Sequence, residues 1–85
     1  MKVVVVWRDN TDYARELTDW IRDFEHTTGK QVESLDPDTV DGEIFVRARD
    51  IMEYPAIVAV ADDGRVLKKW SGKKLPQIDD VSYFA

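Results

Sequence analysis

Hydrophobic residues fall along this chain in two rhythms. Val3, Val4, Val5, Val6 and Trp7 form a β-branched run without alternation, the pattern of a strand covered on both faces, and they predict a central strand. Asn10 or Thr11 can cap the helix that follows. Its apolar residues Ala14, Leu17, Ile21 and Phe24 recur at steps of three, four and three, while Arg15, Glu16, Asp19, Arg22, Asp23 and Glu25 take the other faces. Gly29 is the expected left-handed stop, after which Gln31 to Leu35 predicts a second strand ahead of the Asp36-Pro37 turn.

From Asp38 to Glu53 the pattern is interrupted by Gly42, but Ile44, Ala48 and Ile51 keep helical spacing and Phe45 and Met52 reinforce one side. They predict a second helix from about Glu43. Pro55 excludes its predecessor from the α region, so the helix is expected to end near Glu53. Ala56 to Ala61 is a continuous apolar run, Asp62-Asp63-Gly64-Arg65 is turn chemistry, and Val66 to Trp70 completes a β-hairpin. Pro76 can open a short last helix, with Ile78 and Val81 one turn apart facing inward. The predicted order is β-α-β-α-β-β-α. A strand-helix-strand unit requires a right-handed parallel crossover and a hairpin is antiparallel, so the expectation is an α/β fold with a four-stranded mixed sheet and helices on both faces.

Composition narrows the chemistry. The chain has 85 residues, 12 Lys plus Arg, 17 Asp plus Glu, one His and no Cys, with a net charge of −5. No repeat or linker divides it, so residues 1–85 are read as a single domain. Without a thiol there is no disulfide, thiolate nucleophile or cysteine-held metal. The first apolar run is far below the roughly 20 residues of a membrane span and too short for a signal peptide, giving the expectation of a cytoplasmic protein that begins at its natural Met. A lone core of this size supplies only about 3–5 kcal/mol, so most apolar residues are committed to folding.

The element order, together with the segment from Val46 to Gly72, resembles the thioredoxin/glutaredoxin superfamily in its minimal form. Members commonly carry A-x-x-Y-x-I-x-x-[IVY]-P-[TA], an apolar strand, a Gly turn and a second Gly after the last strand. Ile51, Tyr54, Pro55, Ala56, Gly64 and Gly72 occupy those places, while Val46 and Arg49 stand where the family more often has Ala and Tyr. In the family a C-x-x-C motif opens the first helix, often as C-P-Y-C followed by a basic residue. This chain has Thr11-Asp12-Tyr13-Ala14-Arg15 there. Thr11 and Ala14 replace the two thiols that disulfide exchange requires. The one base that could activate the Thr11 hydroxyl, His26, lies more than three turns along the same predicted helix, about 22 Å away. The resemblance therefore implies a redox-inactive member.

Further implications of the resemblance concern ligands. It implies that Tyr54-Pro55 is a cis peptide and that the residue before this proline can pair its backbone with an extended peptide or with glutathione. Thr11, Asp12, Tyr13, Arg15, Tyr54, Pro55, Ser71 and Gly72 would form that surface. The expected function is a non-catalytic binding or adaptor domain for a protein or extended peptide, glutathione being a weaker ligand and no cofactor being implied. The alternative is a glutathione-dependent, transferase-like enzyme in which the Thr11 hydroxyl stabilises an anionic sulfur at a helix N-terminus. Against it, the chain lacks the added helical domain of such enzymes.

Charge placement adds one more candidate surface. Arg65, Lys68, Lys69, Lys73 and Lys74 put five basic and no acidic residues between 65 and 74, leaving 7 basic against 17 acidic elsewhere. This cluster is a docking patch for an acidic partner or, more simply, edge-strand lysines that block sheet-to-sheet aggregation. The acidic remainder opposes nucleic-acid binding. Asp36 to Glu43 looks superficially like a calcium loop, but Val40, Asp41 and Arg47 fall where an oxygen ligand, a Gly and a bidentate Glu belong, so no metal is expected. Trp20 is expected in the core, Trp7 and Trp70 in core or rim packing or else in an exposed apolar contact, and His26 facing solvent or the carbonyls at the helix end.

Overall fold

A computed structural model describes residues 1–84. Its elements are β1 (Lys2–Val6), α1 (Ala14–Thr28), β2 (Val32–Leu35), α2 (Val40–Ala48), β3 (Ala56–Val60), β4 (Val66–Ser71) and α3 (Ile78–Ser82), in the order that the hydrophobic pattern predicts. The sheet runs β2-β1-β3-β4. β1 pairs parallel to β2, with Val3 beside Val32, and antiparallel to β3, with Val4 beside Val58; β3 pairs antiparallel to β4.

The two central strands are buried on both faces, as their unbroken apolar runs require. Val3, Val5 and Ile57 join Leu17, Trp20, Phe24 and Val81 in one core, beneath α1 and α3. Val4, Val6, Val58 and Val60 join Ile51 in the other, with Phe45 and Val46 of α2 packed against it. Trp20 is buried, stacks on Phe24 at 5.2 Å and donates its indole N–H to the Pro76 carbonyl at 2.9 Å, so its one polar group is satisfied. Trp7 and Trp70 are half-buried at the core margin, and His26 is exposed in the last turn of α1.

The helix boundaries depart from expectation. Neither Asn10 nor Thr11 caps α1: Tyr13 occupies the cap position with no side-chain cap bond, and the Thr11 hydroxyl donates instead to the Arg8 carbonyl at 2.9 Å. Gly29 does end the helix, at φ 71°. α2 starts three residues before Glu43, because Thr39 caps it by accepting the Gly42 N–H at 3.0 Å, and it ends at Ala48, five residues before Glu53. The chain then turns at Asp50, φ 53°, a left-handed conformation that Asp tolerates better than most side chains. Ile51 thus reaches the core from beyond the helix, its N–H bonded to the Val46 carbonyl at 3.0 Å.

The residues that spacing groups on one side of this segment part company: Phe45 and Ile51 pack on the core, the others do not. Ile44 is 63% exposed and Met52 87%, and Ala48 is exposed as well; the inward residues are Gly42, Phe45 and Val46. Gly42 is what allows this seating, since a Cβ there would lie 2.7 Å from the Asp36 carbonyl carbon and closer still to its oxygen. Pro76 lies before α3 rather than opening it; Gln77 is the cap, and Val81 and Ile78 face the core. Among the described residues no helix is long and apolar enough to cross a membrane.

Candidate functional site

Three segments meet beyond the C-terminal end of β1: the loop of residues 7–13, the Tyr54-Pro55 turn leading into β3, and the Ser71-Gly72 exit from β4. After Val6 the chain leaves its pairing with β3, and the Trp7 N–H bonds to the Leu35 carbonyl at 3.0 Å. The loop then folds around the Arg8 peptide unit. Its N–H donates to the Tyr13 hydroxyl at 3.1 Å and its carbonyl accepts from Thr11 at 2.9 Å.

The Arg8 guanidinium makes a two-pronged contact with Asp38, at 2.9 and 3.1 Å, and lies over the Tyr54 ring at 4.9 Å from its centroid. The paired planar groups suit one another, and the ring's negative face favours the cation. The hydrogen bond from Arg8 holds the Asp38 carboxyl below its ordinary range, and the same bond raises the guanidinium further above its own. On the other flank Lys73 donates to Asp12 at 2.6 Å, which holds the Asp12 carboxyl below its usual value. Gly72, at φ 97°, donates its N–H to the Pro55 carbonyl at 3.0 Å.

Of the residues the sequence singles out, Thr11, Asp12, Tyr54, Ser71 and Gly72 are brought together with part of their surface open. Tyr13 and Pro55 are not surface groups: the Tyr13 ring belongs to the core under α1, and Pro55 is fully buried. Arg15 is exposed in the first turn of α1 and makes no hydrogen bond or ion pair among the described residues. The Tyr54-Pro55 peptide is cis. The Tyr54 N–H and C=O have no hydrogen-bond partner among the described residues, although Ala56, two residues on, is fully in the ladder opposite Val6 and Ser71.

Sequence reasoning missed Arg8 and Asp38. They are 30 residues apart, so their pairing has no local signature. The topology does point to Arg8, which stands at the carboxyl end of a strand with a parallel neighbour, where ligands bind in open α/β sheets.

The basic cluster of residues 65–74 does not form one patch. Lys68 stands opposite Ala59 and Lys69 opposite Val58, so they project to opposite faces of the edge strand β4. Lys69 donates to the Asp50 carbonyl at 3.4 Å, and Lys73 is taken by Asp12. That distribution is the one expected of edge protection. The segment that resembles a calcium loop is a helix start, in which the Asp36 carbonyl accepts from the Thr39 N–H and hydroxyl and the Asp36 carboxylate accepts from the Asp38 N–H. Among the described residues no cluster of three or more His, Asp or Glu could hold a metal ion.

No family model matches the chain, and no curated protein matches it in sequence. Among solved structures, thioredoxin 1 from the thermophilic eubacterium Thermosipho africanus TCF52B superposes with a TM-score of 0.70 at 12% identity, over 99% of this chain and 89% of that one. The four-stranded mixed sheet, the three helices and this likeness agree: the chain has the thioredoxin-like fold, with no cysteine to carry disulfide exchange.

Proposed function

We propose that this domain is a non-catalytic binding module that holds an extended polypeptide segment against the Tyr54 backbone. The observation that carries the reading is the unpartnered N–H and C=O of Tyr54, two residues ahead of Ala56, where the ladder with β1 and β4 begins. Backbone polar groups are rarely left without partners except where water or a ligand meets them, and an extended peptide supplies one donor and one acceptor at the matching spacing. The Arg8 side chain lies over the Tyr54 ring, and Gly72 is bonded to the neighbouring Pro55 carbonyl. Peptide backbone pairing needs no thiol. The Thr11 hydroxyl has a single proton, and that proton is engaged by the Arg8 carbonyl, which favours the peptide reading over stabilisation of a glutathione thiolate.

The test is selection of dodecapeptides displayed on phage against the purified protein, followed by titration of the best binder into 15N-labelled protein. The expected outcome is saturable shift of the Tyr54, Thr11, Asp12 and Gly72 amides, weakened when Arg8 is changed to Met. Shifts confined to other faces, or saturable binding of reduced glutathione that the peptide does not displace, would overturn it.

A further inference from the structure

The outer face of α2 carries an apolar row that the fold does not use. Val40 is 76% exposed and Ile44 63%, and with exposed Ala48 they stand at i, i+4 and i+8, one above another along the helix. The helix therefore has two apolar sides. Gly42, Phe45 and Val46 serve the sheet, whereas surface helices ordinarily turn charged residues outward. A shallow depression of about 250 Å³ on this outer face is lined by Glu43, Ile44, Arg47 and Ala48.

We infer that this face is a self-association surface, on which α2 of one molecule packs antiparallel against α2 of a second copy about a two-fold axis at Ile44. The argument is complementarity under that operation. Val40 and Ala48 lie equally far from Ile44, so the two-fold sets the branched Val40 of each copy level with the small Ala48 of the other and the two Ile44 side chains meet at the centre. Glu43 and Arg47 share one flank, where they pair with each other within the helix at 2.5 Å, and an isologous contact brings like flanks together, so that each charge can be shared with the second copy. At about 1.5 Å per residue, Arg47 lies about 4.5 Å to one side of the axis and the second copy's Glu43 about 1.5 Å to the same side. Helical side chains lean toward their own N-terminus. Antiparallel packing therefore makes Arg47 and the opposing Glu43 converge, while the two Glu43 side chains lean apart. A heterologous partner would have to supply the same pattern, apolar row and reversed charges included; a second copy has it already.

One nine-residue helix cannot reach the roughly 1,200 Å² of total burial that a stable complex needs, so the association is weak and reversible. Sedimentation equilibrium between about 10 µM and about 1 mM spans that regime and is expected to show mass rising with concentration. Ile44→Gln, at an exposed position where folding is unaffected, should weaken association about tenfold or more. Glu43→Lys gives a flank with two positive charges and Arg47→Glu one with two negative charges; each variant alone should be monomeric. Mixed, they should associate on the order of ten times more tightly than the parent does with itself. Intrahelical pairing is not restored by mixing, so a gain there reports the contact between molecules. Parent protein that is monomeric across the range, Ile44→Gln that associates like the parent, or a mixture no tighter than its components would each overturn the inference.

Discussion

Gly42→Ala is expected to destabilise the domain even though it places a better helix former inside a helix. Ala gains about 1 kcal/mol over Gly in helix propensity. Against that gain, the new methyl would sit 2.7 Å from the Asp36 carbonyl carbon and 3.0 Å from the Thr39 hydroxyl oxygen. These are parts of the cap itself: the Asp36 carbonyl accepts from the Thr39 N–H at 3.1 Å and from its hydroxyl at 2.7 Å, and that hydroxyl accepts from Gly42. Neither group is a flexible side-chain end, so the cap must open or the helix must lift. Overpacking of this kind costs up to about 3 kcal/mol, leaving a net loss of about 2 kcal/mol. With a urea dependence of about 1 kcal/mol per molar for a small domain, the unfolding midpoint should fall by about 2 M. Gly29→Ala makes the internal comparison. Its site is open, with nothing within 4 Å, and its only penalty is the left-handed φ of 71°, about 1 kcal/mol. A Gly42→Ala midpoint at or above the parent's would refute the reasoning, because propensity would then have won over the clash.

Three further outcomes are expected. Ile51→Ala and Val58→Ala remove methyl groups from the core under α2, where Ile51 is 5% and Val58 0% exposed, and each should cost about 1–4 kcal/mol; denaturant midpoints equal to the parent's would show the core to be misplaced. Asp12 and Asp38 titrate lower in the folded protein than in the unfolded chain, so the stabilisation from their ion pairs is complete above the unfolded carboxyl value of about 3.9 and is lost as pH falls through the lower folded values. The melting temperature of Lys73→Met should accordingly converge on the parent's in acid, and that of Arg8→Met should approach it only in part, because its contact with the Tyr54 ring does not titrate there; a full gap that persists for Lys73→Met would assign that residue a packing role instead. In an insulin reduction assay the protein should give no turnover above the dithiol reagent alone, since it has no cysteine and exchange requires a thiolate.

The sheet was legible because its strands announce themselves locally. Runs such as Val3 to Val6 and Ala56 to Val60 have no polar face to misplace, and Gly64 and Gly29 mark turns whose backbone needs them. α2 was read less well for two physical reasons. Its stop is made by Asp50 rather than by a glycine or by Pro55, and Gly42, which breaks a helix by propensity, is kept inside this one by close approach to Asp36. Its two apolar rows also compete, and spacing alone cannot say which one meets the sheet. At the candidate site the resemblance points to Thr11, Asp12 and Tyr54 but carries no sign of the cross-links around them. Arg8 to Asp38 spans 30 residues and Lys73 to Asp12 spans 61, and such pairings exist only once the sheet has brought the segments together.

Those cross-links bear on what the surface is for. The ion pairs are exposed: Arg8 and Asp38 retain 38% and 66% of their side-chain accessibility, Lys73 and Asp12 67% and 72%. Pairs so open to water contribute little to stability, and both cores close without them. What they do is fix side-chain positions. Arg8 has its N–H held by Tyr13, its carbonyl by Thr11, its guanidinium by Asp38, and its cationic face set against Tyr54. Lys73 fastens the β4 exit to the loop before α1 through Asp12. The open backbone of Tyr54 therefore lies in a frame in which Arg8, Asp38, Lys73 and Asp12 already have their partners. Ordering that frame is a cost met on folding rather than on binding, so a peptide that docks there loses less affinity to the immobilisation of protein side chains. Since Arg8 and Lys73 are paired internally, affinity at this surface should come mainly from main-chain hydrogen bonds and depend weakly on salt, unlike binding driven by free lysines.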